Sequence, residues 1–143
     1  DDYLDGGTPV GGLAGRDVFY GGDGNDILVS HASGGGGAHD VDMYGGHGSD
    51  LFVLYENGDF NGQPADIWDF SIADDRDTLM LIFGGGRAVA SVTDNGTDTT
   101  ITINDGASVI LHGLTGGAVP LTSVTDINHL SQALFAYDAV VIA

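Results

Sequence analysis

Short apolar runs separated by glycine-rich turns form the main pattern along the first half of this chain. Two of the runs, 27–29 and 51–53, each follow a turn that contains three glycines and an aspartate. Short runs of aliphatic and aromatic residues predict strands, each with an inward-facing side chain at its middle position. The pattern therefore predicts an all-β chain with turns at regular intervals.

The second half of the chain predicts a different arrangement of strands. Alternating apolar and polar residues, with turn residues between them, predict three strands at 88–93, 99–104 and 107–112. We expect these strands to form an antiparallel meander that closes one end of the strand stack. Apolar residues at helical spacing behind Asp126, the expected N-cap, predict a short helix over 126–135.

The segments 21–29 and 45–53 share one nine-residue pattern. Both follow Gly-Gly-x-Gly-x-Asp-x-U-x, in which U is a large apolar residue, and this pattern is typical of calcium-binding parallel β-helices. The glycines let the backbone turn tightly and point carbonyls inward. The aspartate adds a carboxylate, so each turn offers the hard oxygen ligands that Ca²⁺ prefers. Two repeats would make one coil, with turns on the same side stacked around a cation.

The spacing of the two repeats predicts which turns are neighbours. Gly45 follows Gly21 by 24 residues, which is two nine-residue repeats plus an insertion of six. The turns 21–26 and 45–50 are therefore expected on the same side of the coil, one layer apart. In that arrangement Asp26 and Asp50 are ligands of one ion.

Two weaker repeats predict a second ion. In the first of them, Gly15 and Asp17 keep positions four and six. In the second, which is expanded, either Asp40 or Asp42 stands in for the usual aspartate and pairs with Asp17. The candidate calcium ligands of the repeats, whether main-chain or carboxylate, are Gly15, Asp17, Gly21, Gly22, Asp23, Gly24, Asp26, Asp40, Asp42, Gly45, Gly46, His47, Gly48 and Asp50.

Three further aspartates follow the repeats. Asp66, Asp69 and Asp77 lie in segments rich in apolar residues. Either another Ca²⁺ bound beside the cap or ordinary capping hydrogen bonds would account for them.

The net charge of the chain argues against some classes of function. The 143 residues include 21 Asp and Glu and three Arg, with no Lys, for a net charge of −18. This charge argues against nucleic acid or an anionic membrane as a partner, and no apolar run is long enough to span a bilayer. An acidic surface without ligand function, as in halophilic proteins, is the alternative interpretation. The recurrence of Asp in phase with Gly favours metal ligation instead. Without Cys there is no disulfide or thiolate site.

The sequence contains no recognisable catalytic motif. H-E-x-x-H and G-x-S-x-G are absent, and the lack of Lys excludes a phosphate-binding loop of the Walker type and a Schiff base. His31, His39 and His47 are spaced eight apart, but they lie in expected turns, whereas a zinc site needs two or three converging ligands. We therefore expect a non-catalytic chain, whose catalytic domain, if there is one, lies upstream.

Together these features resemble the RTX (repeats-in-toxin) family, the C-terminal domains of bacterial proteins exported by type I secretion. The resemblance is carried by the two nonapeptides, by the aspartate-containing block over 66–81, and by the tail 138–141, an acid followed by apolar residues. It implies a parallel β-roll over 1–55 and a capping region with the type I secretion signal over 56–143, in one continuous domain. For one ion it implies the carbonyls of Gly22 and Gly24 and the carboxylate of Asp26, with Gly45, His47 and Asp50 from the next turn, or the reciprocal set.

The resemblance also implies a function and a location. The chain would be a secreted, extracellular bacterial domain that binds Ca²⁺, folds on calcium binding after export, and meets the type I secretion machinery through its tail. The alternative is a calcium-dependent cell-surface or polysaccharide-binding module of an adhesin, an S-layer protein or a carbohydrate-active enzyme. That alternative would use an exposed aromatic face around Tyr44, Tyr55 and Trp68.

Overall fold

The structure is a computed structural model that describes residues 1–7, 16–31, 40–56, 64–117, 120–135 and 137–143. These residues contain eleven strands and one helix. The strands are β1 (Tyr3–Asp5), β2 (Arg16–Asp23), β3 (Ile27–His31), β4 (Asp40–His47), β5 (Leu51–Glu56), β6 (Pro64–Ile67), β7 (Thr78–Phe83), β8 (Val89–Asp94), β9 (Asp98–Ile103), β10 (Ser108–His112) and β11 (Val140–Ile142). The helix α1 spans Val124–Phe135. The predicted all-β class is confirmed.

The strands form two sheets, and the chain crosses between them after every strand from β1 to β7. The first sheet has the order β1-β3-β5-β7-β11, with all its neighbouring strands parallel. The second has the order β2-β4-β6-β10-β9-β8, parallel as far as β10 and antiparallel beyond it. Successive strands of one sheet are thus successive layers of a stack.

The strand register follows a period of 24 residues. Tyr3 lies opposite Ile27, and Ile27 lies opposite Leu51. In the second sheet Gly22 lies opposite Gly46, so the two glycine-rich turns are on the same side and one layer apart, as the repeat spacing predicts. The next step in the first sheet is 27 residues, because Leu51 pairs with Thr78.

Apolar side chains from the two sheets meet in one core between them. The large apolar residues of the nonapeptides, Leu28 and Phe52, are neighbours in the first sheet and are fully buried. Met43 and Ile67 are neighbours in the second sheet and are also fully buried. Burial of each such side chain contributes about 1.5–3 kcal/mol before entropy costs. This burial fixes the strand register, because a slip of one residue would turn the whole set of apolar side chains toward solvent.

The C-terminal part closes one end of the stack. The predicted antiparallel meander is confirmed as β8, β9 and β10, and β10 also pairs in parallel with β6, so the meander extends the second sheet. The helix begins two residues before its predicted start, since Asp126 N donates to Ser123 Oγ at 3.1 Å and Ser123 is therefore the N-cap. Within the described residues, no helix has the length and apolar character needed to cross a bilayer.

Candidate metal centre

Three stacked turns lie on one side of the two sheets. We name them turn A (21–26), turn B (45–50) and turn C (68–77), which join β2 to β3, β4 to β5 and β6 to β7. Each turn ends in an aspartate that directly precedes a strand of the first sheet: Asp26, Asp50 and Asp77. Their relative exposures are 1%, 2% and 1%. Charged groups are rarely so deeply buried without a partner ion.

The three carboxylates form a ladder across the layers. Asp26 N donates to Asp50 Oδ1 at 2.8 Å, and Asp50 N donates to Asp77 Oδ1 at 2.9 Å. The other oxygen of Asp77 accepts from Ser71 N at 2.8 Å. In the part of the chain that the structure describes, Oδ2 of Asp26 and Oδ2 of Asp50 are buried and have no hydrogen-bond partner. A buried acceptor without a donor is costly, and one aimed into a turn marks a place where a cation would supply the missing interaction.

Both unpartnered oxygens point at the first glycine of a turn. A Cβ atom added to Gly45 would lie 2.2 Å from Asp50 Oδ2. A Cβ atom added to Gly21 would lie 2.6 Å from Asp26 Oδ2 and 2.5 Å from the carbonyl oxygen of Gly45. A carboxylate oxygen of turn A and a main-chain oxygen of turn B thus converge on one spot, and only glycine leaves that spot open. Carboxylate and carbonyl oxygens are the ligands that Ca²⁺ takes.

The backbone of turn A also faces turn B. A Cβ atom at Gly46 would lie 2.0 Å from the Gly22 carbonyl oxygen, and one at Gly48 would lie 1.9 Å from the Gly24 carbonyl oxygen. Gly24 N donates to the His47 carbonyl at 2.8 Å, so this carbonyl joins the two turns directly. The side chains of His47 and Asp23, at the third position of their turns, are exposed. The turns therefore contribute main-chain oxygens at the layer interface, with these two side chains outside it.

Turn C completes the stack from the cap side. Both oxygens of Asp69 accept backbone N–H groups of turn B, from Gly45 and from Gly46, each at 2.9 Å. Asp75 Oδ1 accepts from Gly48 N at 3.2 Å. Asp69 and Asp75 thereby fix the conformation of turn B, and Asp77 continues the buried column. Of the three aspartates predicted beside the cap, Asp69 and Asp77 belong to this stack.

Asp66 lies elsewhere, on the outer face of the second sheet, where its Oδ1 is 2.7 Å from His112 Nε2. Asp42 is on that face as well: it accepts from Arg16 Nε and, at 2.8 Å, from Trp68 Nε1. The Arg16 guanidinium beside Asp42 holds the pKa of this carboxyl below its usual range. Both carboxylates are therefore engaged by side chains on the outer face of the second sheet, and not by the column of Asp26, Asp50 and Asp77.

The structure does not bring Asp17 and Asp42 together. Asp17 pairs with Val41 in register, and Asp42 pairs with Val18, so the two carboxylates project from opposite faces of the sheet. Gly15 lies outside the described residues, and only the backbone of Asp40 is described. Among the described residues, no group of three or more His, Cys, Asp or Glu side chains has the arrangement of a metal site. A cation in the turns would therefore depend heavily on main-chain oxygens.

Burial also changes the acidity of the column. Burial raises the pKa of Asp50 and raises the pKa of Asp77 to about 7, and the neighbouring carboxylates add to both shifts. In the metal-free protein Asp77 thus titrates near neutral pH, and burial shifts Asp50 in the same direction. A divalent cation would reverse these shifts, because it favours the ionised form.

The pH dependence of the metal-free protein follows from these shifts. In the unfolded chain both groups titrate near pH 4, so between about pH 4 and 7 the folded chain binds more protons than the unfolded chain. The stabilising contribution of Asp77 is complete below about pH 4 and is lost as the pH rises through about 7, and the raised pKa of Asp50 acts in the same direction. We expect the urea midpoint in calcium-free buffer to increase from about pH 7.5 to about pH 5. Asp77→Asn should flatten this dependence, and a midpoint that falls over the same range would contradict it.

A stack of aromatic rings crosses the outer face of the second sheet. The rings of Tyr20 and Tyr44 are 4.8 Å apart, those of Tyr44 and Trp68 6.2 Å, and those of Trp68 and His112 3.9 Å, all nearly parallel. Tyr55 is in the other sheet and stacks on His31 at 4.5 Å. The predicted aromatic face around Tyr44, Tyr55 and Trp68 is therefore divided between the two sheets.

Comparison with known proteins gave no match: no family model, no curated protein and no solved structure matches this chain. What the chain binds is therefore inferred from its own residues and their geometry.

Proposed function

We propose that this chain is a non-catalytic, Ca²⁺-binding domain of the RTX type, in which the two sheets and the glycine turns make a parallel β-roll. The observation that carries the proposal is the pair of buried, unpartnered oxygens of Asp26 and Asp50, which face glycines and main-chain carbonyls of the stacked turns. Oxygen-only donors with many carbonyls suit Ca²⁺, which accepts six to eight ligands in irregular geometry, better than they suit Zn²⁺.

Two binding positions are proposed. Between turns A and B, Asp26 Oδ2 and the Gly45 carbonyl converge, and the Gly22 and Gly24 carbonyls face the same interface. Between turns B and C, Asp50 Oδ2 faces turn B, and Asp77 continues the column. Bound calcium would supply positive charge beside Asp26 Oδ2 and Asp50 Oδ2, the two buried oxygens that have no hydrogen-bond partner among the described residues.

Calcium binding would drive folding. The chain carries a net charge of −18, so its metal-free form repels itself, and each bound ion offsets two charges. Because the stacked turns exist only in the folded chain, binding free energy becomes folding free energy. Extracellular calcium modules bind at about 10⁻⁴–10⁻³ M, so a chain exported by type I secretion, with little stability without metal, would become fully folded outside the cell. In the folded chain the tail 138–141, proposed as the export signal, is partly paired with β7 as β11, and its residues Ala139 and Val140 are buried.

A calcium titration tests the proposal. We expect added Ca²⁺ at about 1–5 mM to raise the β signal in circular dichroism or the thermal midpoint of the full chain. Mg²⁺ at the same concentration should have little effect, because it demands octahedral geometry and loses its water reluctantly. A chain that has its full β structure in chelator and a midpoint unchanged by calcium would refute the function.

The alternative function, a polysaccharide-binding module, has weaker support. Sugars stack on open ring faces, whereas the faces of Tyr44 and Trp68 are turned toward neighbouring rings. Tyr20, 66% exposed on the edge strand β2, has an outer face without a ring neighbour among the described residues. Calcium-dependent retention on a glycan array, lost in Tyr20→Ala, would restore this alternative.

A further inference from the structure

Turn C has the same place in the stack as turns A and B but is built without glycine. Turns A and B reach positive φ through glycines, whereas turn C does so through Arg76, at φ 65°. Arg76 is the one non-glycine residue with positive φ in the part of the chain that the structure describes. A side chain in this conformation is strained. Contacts from outside the turn must therefore hold Arg76 and its neighbour Asp77 in place.

Two such contacts come from Tyr137, which precedes β11. Tyr137 Oη donates to the carbonyl oxygen of Asp77 at 3.1 Å. The guanidinium carbon of Arg76 lies 5.4 Å from the centroid of the Tyr137 ring, within cation–π range. Two residues further on, the Ala139 carbonyl accepts from Leu79 N at 2.8 Å. The C-terminal end of the chain is thus hydrogen-bonded to the backbone at Asp77 and at Leu79.

The carboxylate of Asp77 depends on this backbone position. Its Oδ1 meets Asp50 N of turn B, and its Oδ2 meets Ser71 N of turn C. Asp77 N also donates to the Ser71 carbonyl at 2.8 Å. A shift of the Asp77 main chain would break these bonds together and change the interface between turns B and C. Tyr137 restrains that main chain through its hydrogen bond to the Asp77 carbonyl.

We propose that Tyr137 is a positioning residue for the cation site between turns B and C, so that docking of the C-terminal segment (137–143) and cation binding at this site promote each other. The inference rests on the proposed calcium binding. Coupling of this kind is reciprocal: whatever factor the docked segment adds to the affinity for calcium, calcium adds to the docking equilibrium.

Tyr137→Phe tests the inference, because it removes the hydroxyl and keeps the ring over Arg76. Its matched control is Thr99→Val, which removes another hydroxyl that donates to a backbone carbonyl in the cap, from Thr99 Oγ1 to Leu114 O at 2.7 Å. Calorimetric titration of the full chain with Ca²⁺ should show about three- to tenfold weaker binding at one of two positions in Tyr137→Phe, the range expected for one lost hydrogen bond. Thr99→Val should leave both affinities unchanged.

The outcomes separate this inference from the proposed function. If the parent chain binds no calcium, the function itself fails. If the parent binds calcium and Tyr137→Phe binds it equally well at both positions, only the positioning role fails. If Tyr137→Phe and Thr99→Val weaken both positions alike, the hydroxyl contributes to general stability alone, and the inference is overturned.

Hydrogen exchange gives a second test that leaves Tyr137 intact. The amide of Ala143 donates to the Leu81 carbonyl at 2.9 Å and reports docking of the C-terminal segment. Calcium should slow its exchange in Asp26→Asn, where the position between turns B and C is kept, by at least about the same three- to tenfold factor. In Asp77→Asn, which keeps only the position between turns A and B, calcium should slow this exchange less than in Asp26→Asn. Equal protection in the two variants would contradict the coupling.

Discussion

Asp50→Asn is expected to lose at least about tenfold in calcium affinity and yet to be no less stable than the parent chain in chelator. The amide keeps the size of the side chain and an acceptor for Asp26 N, but it removes the charge and the unpartnered Oδ2 that faces Gly45. Changes outside the ligand shell alone cost about 10–100-fold in metal affinity, and loss of a charged ligand costs at least as much. Without metal the charge is unfavourable, because burial raises the pKa of Asp50.

Calorimetric calcium titration and urea unfolding in chelator measure the two halves of this prediction. Asp23→Asn is the matched control, because it removes the same charge from an exposed side chain in turn A. It should change calcium affinity by no more than about twofold, as expected for an exposed charge. Unaltered affinity in Asp50→Asn would show that its buried carboxylate does not bind the ion. A stability loss in chelator would show that the carboxylate is satisfied without metal.

Gly46→Ala is expected to destabilise the calcium-loaded chain by about 1–3 kcal/mol beyond Gly22→Ala. Both glycines have nearly the same strained backbone, at φ 99° and φ 102°, so either alanine costs about 1–2 kcal/mol on that account. The added methyl meets nothing within 4 Å at Gly22, but at Gly46 it would lie 2.0 Å from the Gly22 carbonyl oxygen. Relief of that clash requires the layers to separate, at a typical overpacking cost of about 1–3 kcal/mol.

The comparison needs urea midpoints of both variants in saturating calcium, with equal m values as the check that both unfold in the same way. The difference between the two alanines isolates the approach of one turn to the next, since the backbone strain is common to both. Equal destabilisation would mean that turns A and B are further apart in solution than in the structure. The two turns would then be too far apart to form the proposed site between them.

Sequence periodicity predicted the part of the candidate site that repeats. Glycine and aspartate recur at identical positions in 21–29 and 45–53, and the spacing of 24 residues was sufficient to place Asp26 and Asp50 in successive layers. The inward positions of Leu28 and Phe52 followed from the same pattern. These features are local, and each depends on residues whose conformational or burial preference is strong.

The remaining parts of the site involve contacts that have no fixed spacing in sequence. Asp77 continues the column after 27 residues and without glycine, because the longer turn C reaches the same place through Arg76. Asp42 was predicted as a ligand only because of its position in the expanded repeat, where it could stand in for the usual aspartate. The alternation of strand side chains turns it outward, toward Arg16 and Trp68. A strict reading of alternation from the buried Met43 would have identified this direction from the sequence.

In the C-terminal part that closes the stack, some features also follow from local sequence signals and others depend on long-range contacts. Turn residues and alternation predicted the meander of β8, β9 and β10, but the parallel pairing of β10 with β6 joins residues 44 positions apart, as in Ser108 with Pro64, and leaves no local signal. The apolar tail was assigned to export by resemblance alone. Its pairing as β11 beside β7, and the contact of Tyr137 with Asp77, depend on the folded sheet.

The ring stack gives the chain a built-in optical probe. Trp68 is its single tryptophan, and it follows β6 directly, with Tyr44 on one side and His112 of β10 on the other. Separation of β6 from β10 would remove the closest ring neighbour of the indole and expose more of the side chain than the 42% that is exposed in the folded chain. Tryptophan emission would therefore follow the joining of the repeat layers to the cap in real time, without any attached dye.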